Sequence, residues 1–298
     1  LRSSSLWADA ANVTLDSLLQ TIPLNDDKPR DRRAMVRGCQ TGAFLSAVPS
    51  SINGSTLGEM EFQDSIRTRA ALAPLNLPSH CDGCGDNFTI NHAHSCKNGG
   101  NIIARHDEIS SELISLCTMA FRPSAVRAEP QIHAGSSTTP TPDTNVDTSE
   151  RGDVLCRGLW SNGQDAILDI RVTDTDQASY LARDPEKVLQ SAEKEKKKKY
   201  LRACQHQRRA FTPFVVSVDG MLGLEAKNVL KQLARRLAEK WNKPYSMVVG
   251  IVRSRISIAC VRASHQCIRG SRVPVRKMSR QIQWEDGAGT GLYRIDLD

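Results

Sequence analysis

The sequence predicts an α/β protein, and three observations carry that expectation. Several windows repeat apolar residues at the helical period, and between them lie short runs that alternate at period two or are rich in β-branched residues. Between positions 102 and 218 these segments follow the order helix, three strands, helix, strand, and two further helices come after them. A compact Cys/His/Gly cluster at 81–100 precedes the first of these helices and is too small to build a core of its own. The chain has 298 residues, 39% hydrophobic and 5% aromatic, which allows one large core or two small ones.

The elements are justified in order. Residues 1–80 predict a helical connector, with apolar spacing at Leu15, Leu18 and Leu19 and again at Met35, Phe44 and Leu45, broken by Pro23, Pro29 and Pro49. Thr56-x-x-Glu59 reads as a capping box opening a helix through Phe62 and Ile66 to about Leu72. From Ile102 the steps to His106, Ile109, Leu113, Leu116 and Ala120 define one apolar helix face, leaving Arg105, Glu108 and Glu112 on the other. A strand is expected over 126–132, then a polar Ser/Thr/Pro/Asp loop over 135–149. Two further strands are expected at 153–155 and 166–172. In the second, alternation sends Leu168, Ile170 and Val172 to one face and places Asp169 and Arg171 together on an exposed face.

Beyond these, 185–209 predicts a basic helix and 214–218 a β-branched strand ending at Asp219-Gly220. Another helix should bury Leu230, Leu233, Leu237 and Trp241 and expose Lys227, Lys231 and Arg235. Residues 245–269 predict a final helix carrying Arg253, Arg255, Arg262 and Arg269. The resulting organisation is a connector (1–80), a knuckle (81–100), an α/β core (101–220) and a basic helical extension (221–298).

Charge narrows the function classes. Residues 1–186 hold 16 basic and 24 acidic side chains, whereas 187–298 hold 24 basic and 9 acidic. The back part therefore attracts a polyanion. No apolar run reaches the roughly 20 residues of a membrane helix, so no membrane partner is expected. The first residues lack the apolar core of a secretory signal, and nine scattered cysteines do not form a disulfide framework, so a reducing intracellular compartment is expected.

Three constellations carry chemistry. Cys81-x2-Cys84-x7-His92-x3-Cys96 can close a tetrahedron around a structural Zn²⁺, with His94 as a competing ligand. Glu108, Asp153 and Asp169, followed by Arg171, could hold Mg²⁺ beside a cation, although acids at strand ends are commonly just solvated. The run from Glu193 to Tyr200, with Lys196, Lys197, Lys198, Lys199 and then Arg202, reads as phosphate contact, a solvated face or a localisation signal.

One set of motifs, taken together, resembles a known family. The Cys81 to Gly100 cluster is followed by RHDEI (105–109), VRAEP (126–130), RGDVL (151–155) and AILDIRV (166–172). Glu193-x2-Lys196-x2-Lys199-Tyr200 and Phe211-x-Pro213-Phe214-Val-Val-Ser-Val-Asp-Gly220 come next. Over about residues 45–275 this order resembles the C-terminal part of non-LTR retrotransposon proteins, where a reverse transcriptase is followed by a CCHC zinc knuckle and a restriction-like endonuclease of the PD-(D/E)XK superfamily.

The resemblance implies an αβββαβ core, with Asp153 and Asp169 as Mg²⁺ ligands and Glu108 as the helix carboxylate of resolvase-like members. It implies a catalytic lysine on the following helix, at Lys196 or Lys199, and nucleic-acid contacts at Lys197, Lys198, Tyr200 and Arg202. Two positions depart from the pattern: Gly152 stands where Pro is usual, and Arg171 occupies the place of the superfamily lysine. The implied activity is Mg²⁺-dependent nicking of target DNA to prime reverse transcription, in the nucleus, with element RNA as a second partner. No Tyr-x-Asp-Asp polymerase motif occurs in this chain. The alternative is a zinc-containing nucleic-acid-binding module without catalysis.

Overall fold

The computed structural model describes residues 41–51, 54–69, 72–132 and 150–273. The expected helices around Leu15 and Met35 and the polar loop at 135–149 lie outside them. Among the described residues are six α-helices and a four-stranded mixed sheet, so the architecture is α/β. In chain order these are α1 (Glu59–Arg69), α2 (Ile90–Ser95), α3 (Asn101–Ala120), β1 (Val126–Ala128), β2 (Val154–Arg157), β3 (Asp165–Thr173), α4 (Pro185–His206), β4 (Ala210–Ser217), α5 (Leu224–Trp241) and α6 (Tyr245–Arg269).

The sheet order is β1-β2-β3-β4. β1 and β3 both run antiparallel to β2, and β4 runs parallel to β3. A parallel neighbour needs a crossover, and α4 supplies it. That helix starts where Asp184 accepts backbone N–H groups of Glu186 at 2.8 Å and Lys187 at 3.3 Å, with Pro185 preset for the first turn.

Both faces of the sheet are covered. Leu168 and Ile170 of β3, with Phe214 and Val216 of β4, share one core with Leu113 of α3, Leu233 of α5 and Val252 of α6. On the opposite face Ile167 and Phe211 pack with Tyr200 and Cys204 of α4, and Val215 packs with Leu189 and Ala192. A strand buried on both sides needs no polar alternation, which is why Phe214, Val215 and Val216 of β4 follow one another without a polar residue between them. The residues past 220 thus contribute a large share of the main core.

Several local expectations differ from what the chain does. Among the described residues of 41–80 the chain is less helical than its periodicity suggests, holding α1 and a single 3-10 turn at Ala43–Ser46. The start of α1 is set one turn-half later than Thr56/Glu59, because Glu61 accepts the N–H of Gly58 at 2.7 Å. The strand expected to reach 132 ends at Ala128: Glu129 takes a left-handed backbone (φ 48°) and Pro130 has no N–H to donate. Past this break the pairing resumes through the Gln131–Arg151 bridge, and the Glu129 N–H donates to the Asp153 carbonyl at 3.0 Å. Trp241 closes α5 with 36% of its surface exposed rather than extending the buried face.

Arg105 of α3 is buried, not solvent-facing, and donates to the His94 carbonyl at 3.0 Å. Glu193 of α4 is also buried, and its carboxylate accepts the Glu225 N–H at 2.9 Å, capping the start of α5 from a neighbouring helix. Burial pushes the Glu193 carboxyl upward, opposed by that hydrogen bond.

Candidate metal centre and acidic cleft

The knuckle forms where the segment around Cys81 turns tightly and returns through α2. Thr89 caps α2 by accepting the His92 N–H at 3.0 Å, and the short helix places His92 opposite the Cys81/Cys84 turn. The ligand atoms of Cys81, Cys84, His92 and Cys96 all lie within 4.8 Å of one another. Cys81 Sγ is 3.9 Å from Cys96 Sγ, and Cys84 Sγ is 3.4 Å from His92 Nε2. A tetrahedron with metal–sulfur bonds of about 2.3 Å and metal–nitrogen bonds of about 2.0 Å has edges of about 3.8 and 3.5 Å, so the four groups fit a Cys₃His metal site compatible with zinc. Burial alone would raise the Cys81 thiol, yet N–H groups of Cys84 and Gly83 and the His92 ring bring it down to about 6. One ligand is therefore readily a thiolate.

His94, the competing ligand by spacing, points elsewhere. It is buried, with Nε2 3.3 Å from Ser264 Oγ of α6. The knuckle is closed by Arg272, a residue with no signal in the local sequence. Its buried guanidinium donates to the Ala93 carbonyl at 3.1 Å and stacks over Phe88 at 5.1 Å, while its N–H donates to Asp82 at 2.8 Å. Gly83 and Gly99 admit it: a Cβ on either would fall 2.6 or 2.3 Å from Arg272 atoms.

The second site lies where β3 runs past the start of β2. The ladder ends at Val154 opposite Leu168. Beyond it the Asp153 N–H donates to the Leu168 carbonyl at 3.1 Å, and the Asp153 carboxylate accepts the Ile170 N–H in place of a ladder carbonyl. This pins Asp153 beside Asp169, whose side chain turns toward α4. Lys196 Nζ stands 2.7 Å from Asp169 Oδ2. The expected exposed face of β3 is thus a covered one: α4 lies over it, and Asp169 keeps only 4% of its surface. Burial pushes the Asp169 carboxyl up, and Lys196 opposes the shift. From α3, His106 Nε2 approaches Asp153 Oδ2 at 3.3 Å, and that carboxylate, with Asp107, holds the imidazole above its ordinary value.

The remaining candidates separate. Glu108 makes no ion pair or hydrogen bond among the described residues. It sits two positions, about 200° of helix rotation, from His106, so the helix group that reaches Asp153 is the histidine. Arg171 pairs with Glu195 at 2.6 Å on the surface of α4. Lys199 is held by Glu150 at 2.7 Å, which raises its affinity for a proton, and by the Tyr200 hydroxyl at 2.7 Å. Lys197 pairs with Glu225. Tyr200 is 7% exposed and packs on Phe211 at 5.6 Å, so it is a core residue rather than a surface contact. Lys198 and Arg202 remain exposed.

Gly152 has a local reason. Its N–H donates to the Pro130 carbonyl at 2.9 Å, a bond proline cannot make, and a Cβ would meet Ile167 Cγ2 at 2.4 Å. Compared with known proteins, the chain matches no family model and no curated protein.

Proposed function

We propose that the chain is the endonuclease part of a retroelement protein, with a restriction-endonuclease-like αβββαβ core that hydrolyses a DNA phosphodiester in the presence of Mg²⁺. The observation that carries this reading is the convergence of Asp153, Asp169 and Lys196 at the middle of β3, just past the start of β2. The order α3-β1-β2-β3-α4-β4 supports it, as does the resemblance of the motif order.

Two carboxylates at one cleft form an all-oxygen donor set suited to a hard cation. A Mg²⁺ ion bound there would acidify a water and screen the charge of a phosphate. Asp153 and Asp169 would hold the ion. Lys196 would donate to the phosphate or orient the attacking water, and His106 would keep Asp153 turned into the cleft. Lys198 and Arg202 would contact the DNA backbone, and Zn²⁺ would occupy the knuckle. The nick leaves a 3′ hydroxyl able to prime reverse transcription by an attached polymerase, with element RNA as its template, and this places the protein in the nucleus.

A second reading, nucleic-acid binding without hydrolysis, is favoured by one observation: Lys196 already neutralises Asp169 with no cation needed. Supercoiled plasmid separates the two. With Mg²⁺ or Mn²⁺ the wild-type protein should yield open circles, and Asp153→Ala and Asp169→Ala should not. Nicking that persists in both variants overturns the site, and DNA binding without nicking by the wild type selects the second reading.

A further inference from the structure

A groove between the β2–β3 turn and α5 has a chemistry that the endonuclease reading does not use. One wall is Trp160, in the turn between β2 and β3. The residue is 37% exposed, and its ring is held in orientation by the indole N–H, which donates to Thr212 Oγ1 of β4 at 2.9 Å. The other wall is α5, which presents Asn228, Lys231, Gln232 and Arg235. These positions step by three, one and three, so they share one helix face. The face holds two cations and two carboxamides and no apolar side chain.

None of these four side chains is engaged by the described residues. The carboxylate at the end of the groove, Glu225, is already paired with Lys197 of α4. Lys231 and Arg235 are therefore exposed cations with no counter-ion among the described residues, one helical turn or about 5.4 Å apart. A flat aromatic surface, hydrogen-bonding amides and two uncompensated cations suit a partner with π-faces, base edges and successive phosphates. Paired bases offer no free face to an indole, whereas unpaired ones do.

We propose that the Trp160/α5 groove binds a single-stranded polynucleotide. The site is separate from the acidic cleft and needs no hydrolysis. The rigid indole supplies a stacking platform, Lys231 and Arg235 hold neighbouring phosphates, and Asn228 and Gln232 meet a base edge.

The test uses the full chain in Mg²⁺-free buffer with fluorescein-labelled oligo(dT) and oligo(U), followed by anisotropy over a range of salt. Trp160→Ala should weaken binding about tenfold, and Trp160→Phe should restore most of it, as expected for loss and recovery of one stacked base. Lys231→Gln/Arg235→Gln, at exposed positions that the fold does not depend on, should reduce the log–log salt slope by about 1.4. Tight binding of either oligonucleotide that Trp160→Ala weakens supports the site. Unchanged affinity in Trp160→Ala together with an unchanged slope in the double variant overturns it, as does displacement of the oligonucleotide by poly-glutamate at equal charge. Asp169→Ala distinguishes the readings: it should bind oligo(dT) normally while losing nicking, which leaves this groove standing, whereas a wild-type protein that nicks plasmid but does not bind either oligonucleotide removes the groove alone.

Discussion

Lys196 Nζ lies 2.7 Å from Asp169 Oδ2, an ion pair in which the carboxylate is almost fully covered and the ammonium is partly open to water. The arrangement is costly for the carboxylate, since burial raises it despite the lysine. A group whose folded value is raised loses stability as pH rises through that value, because the unfolded chain releases its proton first. Asp169→Asn should therefore match the wild type near the ordinary carboxyl range, about pH 3.9, and be neutral to about 1 kcal/mol more stable at neutral pH. Urea unfolding at the two pH values checks this; a variant less stable at neutral pH would mean that Lys196 outweighs burial.

On α3 the histidine, not the glutamate, should matter. His106→Ala is expected to lower plasmid nicking by at least about tenfold through loss of the group that turns Asp153, whereas Glu108→Ala should nick like the wild type. Arg171→Ala, which breaks only the exposed pair with Glu195, should change stability by less than about 1 kcal/mol. A large loss of nicking in Glu108→Ala would return the helix carboxylate to the site.

For the knuckle, chelation should release about one metal ion per chain and lower the thermal midpoint. Metal content separates the two histidines: His92→Ala should lose the ion, and His94→Ala should retain it while losing about 1 kcal/mol from its packing against α6. The reverse pattern would reassign the fourth ligand.

The contact between α1 and α6 should be among the most sensitive to mutation. Asp64 is 1% exposed and accepts from Arg269 at 2.7 and 2.8 Å, with His265 Nδ1 at 3.0 Å. Asp64→Ala leaves the partly buried Arg269 guanidinium with only the Leu75 and Asn76 carbonyls and no counter-charge, and should cost about 3 kcal/mol, readable as a shift in the denaturation midpoint. A shift below about 0.5 kcal/mol would mean that the pair is effectively solvated.

How far these features could be read beforehand depends on whether they are local. Periodicity placed α6 at Tyr245–Arg269 and the strand around Leu168 correctly, because each is set by its own residues. The Cys/His spacing pointed to four groups that the fold does bring together and that could hold a metal ion, for the same reason. What spacing could not show is which face another element covers. Asp169 looked exposed because alternation cannot show α4 lying over it, and Tyr200 looked like a contact because its packing partner, Phe211, belongs to the next strand. Arg105 is buried by donating to the His94 carbonyl of the knuckle, and Arg272 binds a carbonyl 179 positions earlier, so helix periodicity alone announces neither burial. The choice of His92 over His94 needed the pull of Ser264, 170 positions away.

That same distance shapes how the protein is made. Arg272 donates to a carbonyl 179 positions earlier, so during synthesis the Cys81–Cys96 loop leaves the ribosome long before the side chain that seals it. Metal capture by the four ligands is a local event, whereas the seal waits for nearly the whole described chain. A truncated product ending before α6 would carry the ligands without the lid, and its bound ion would exchange faster than in the longer chain.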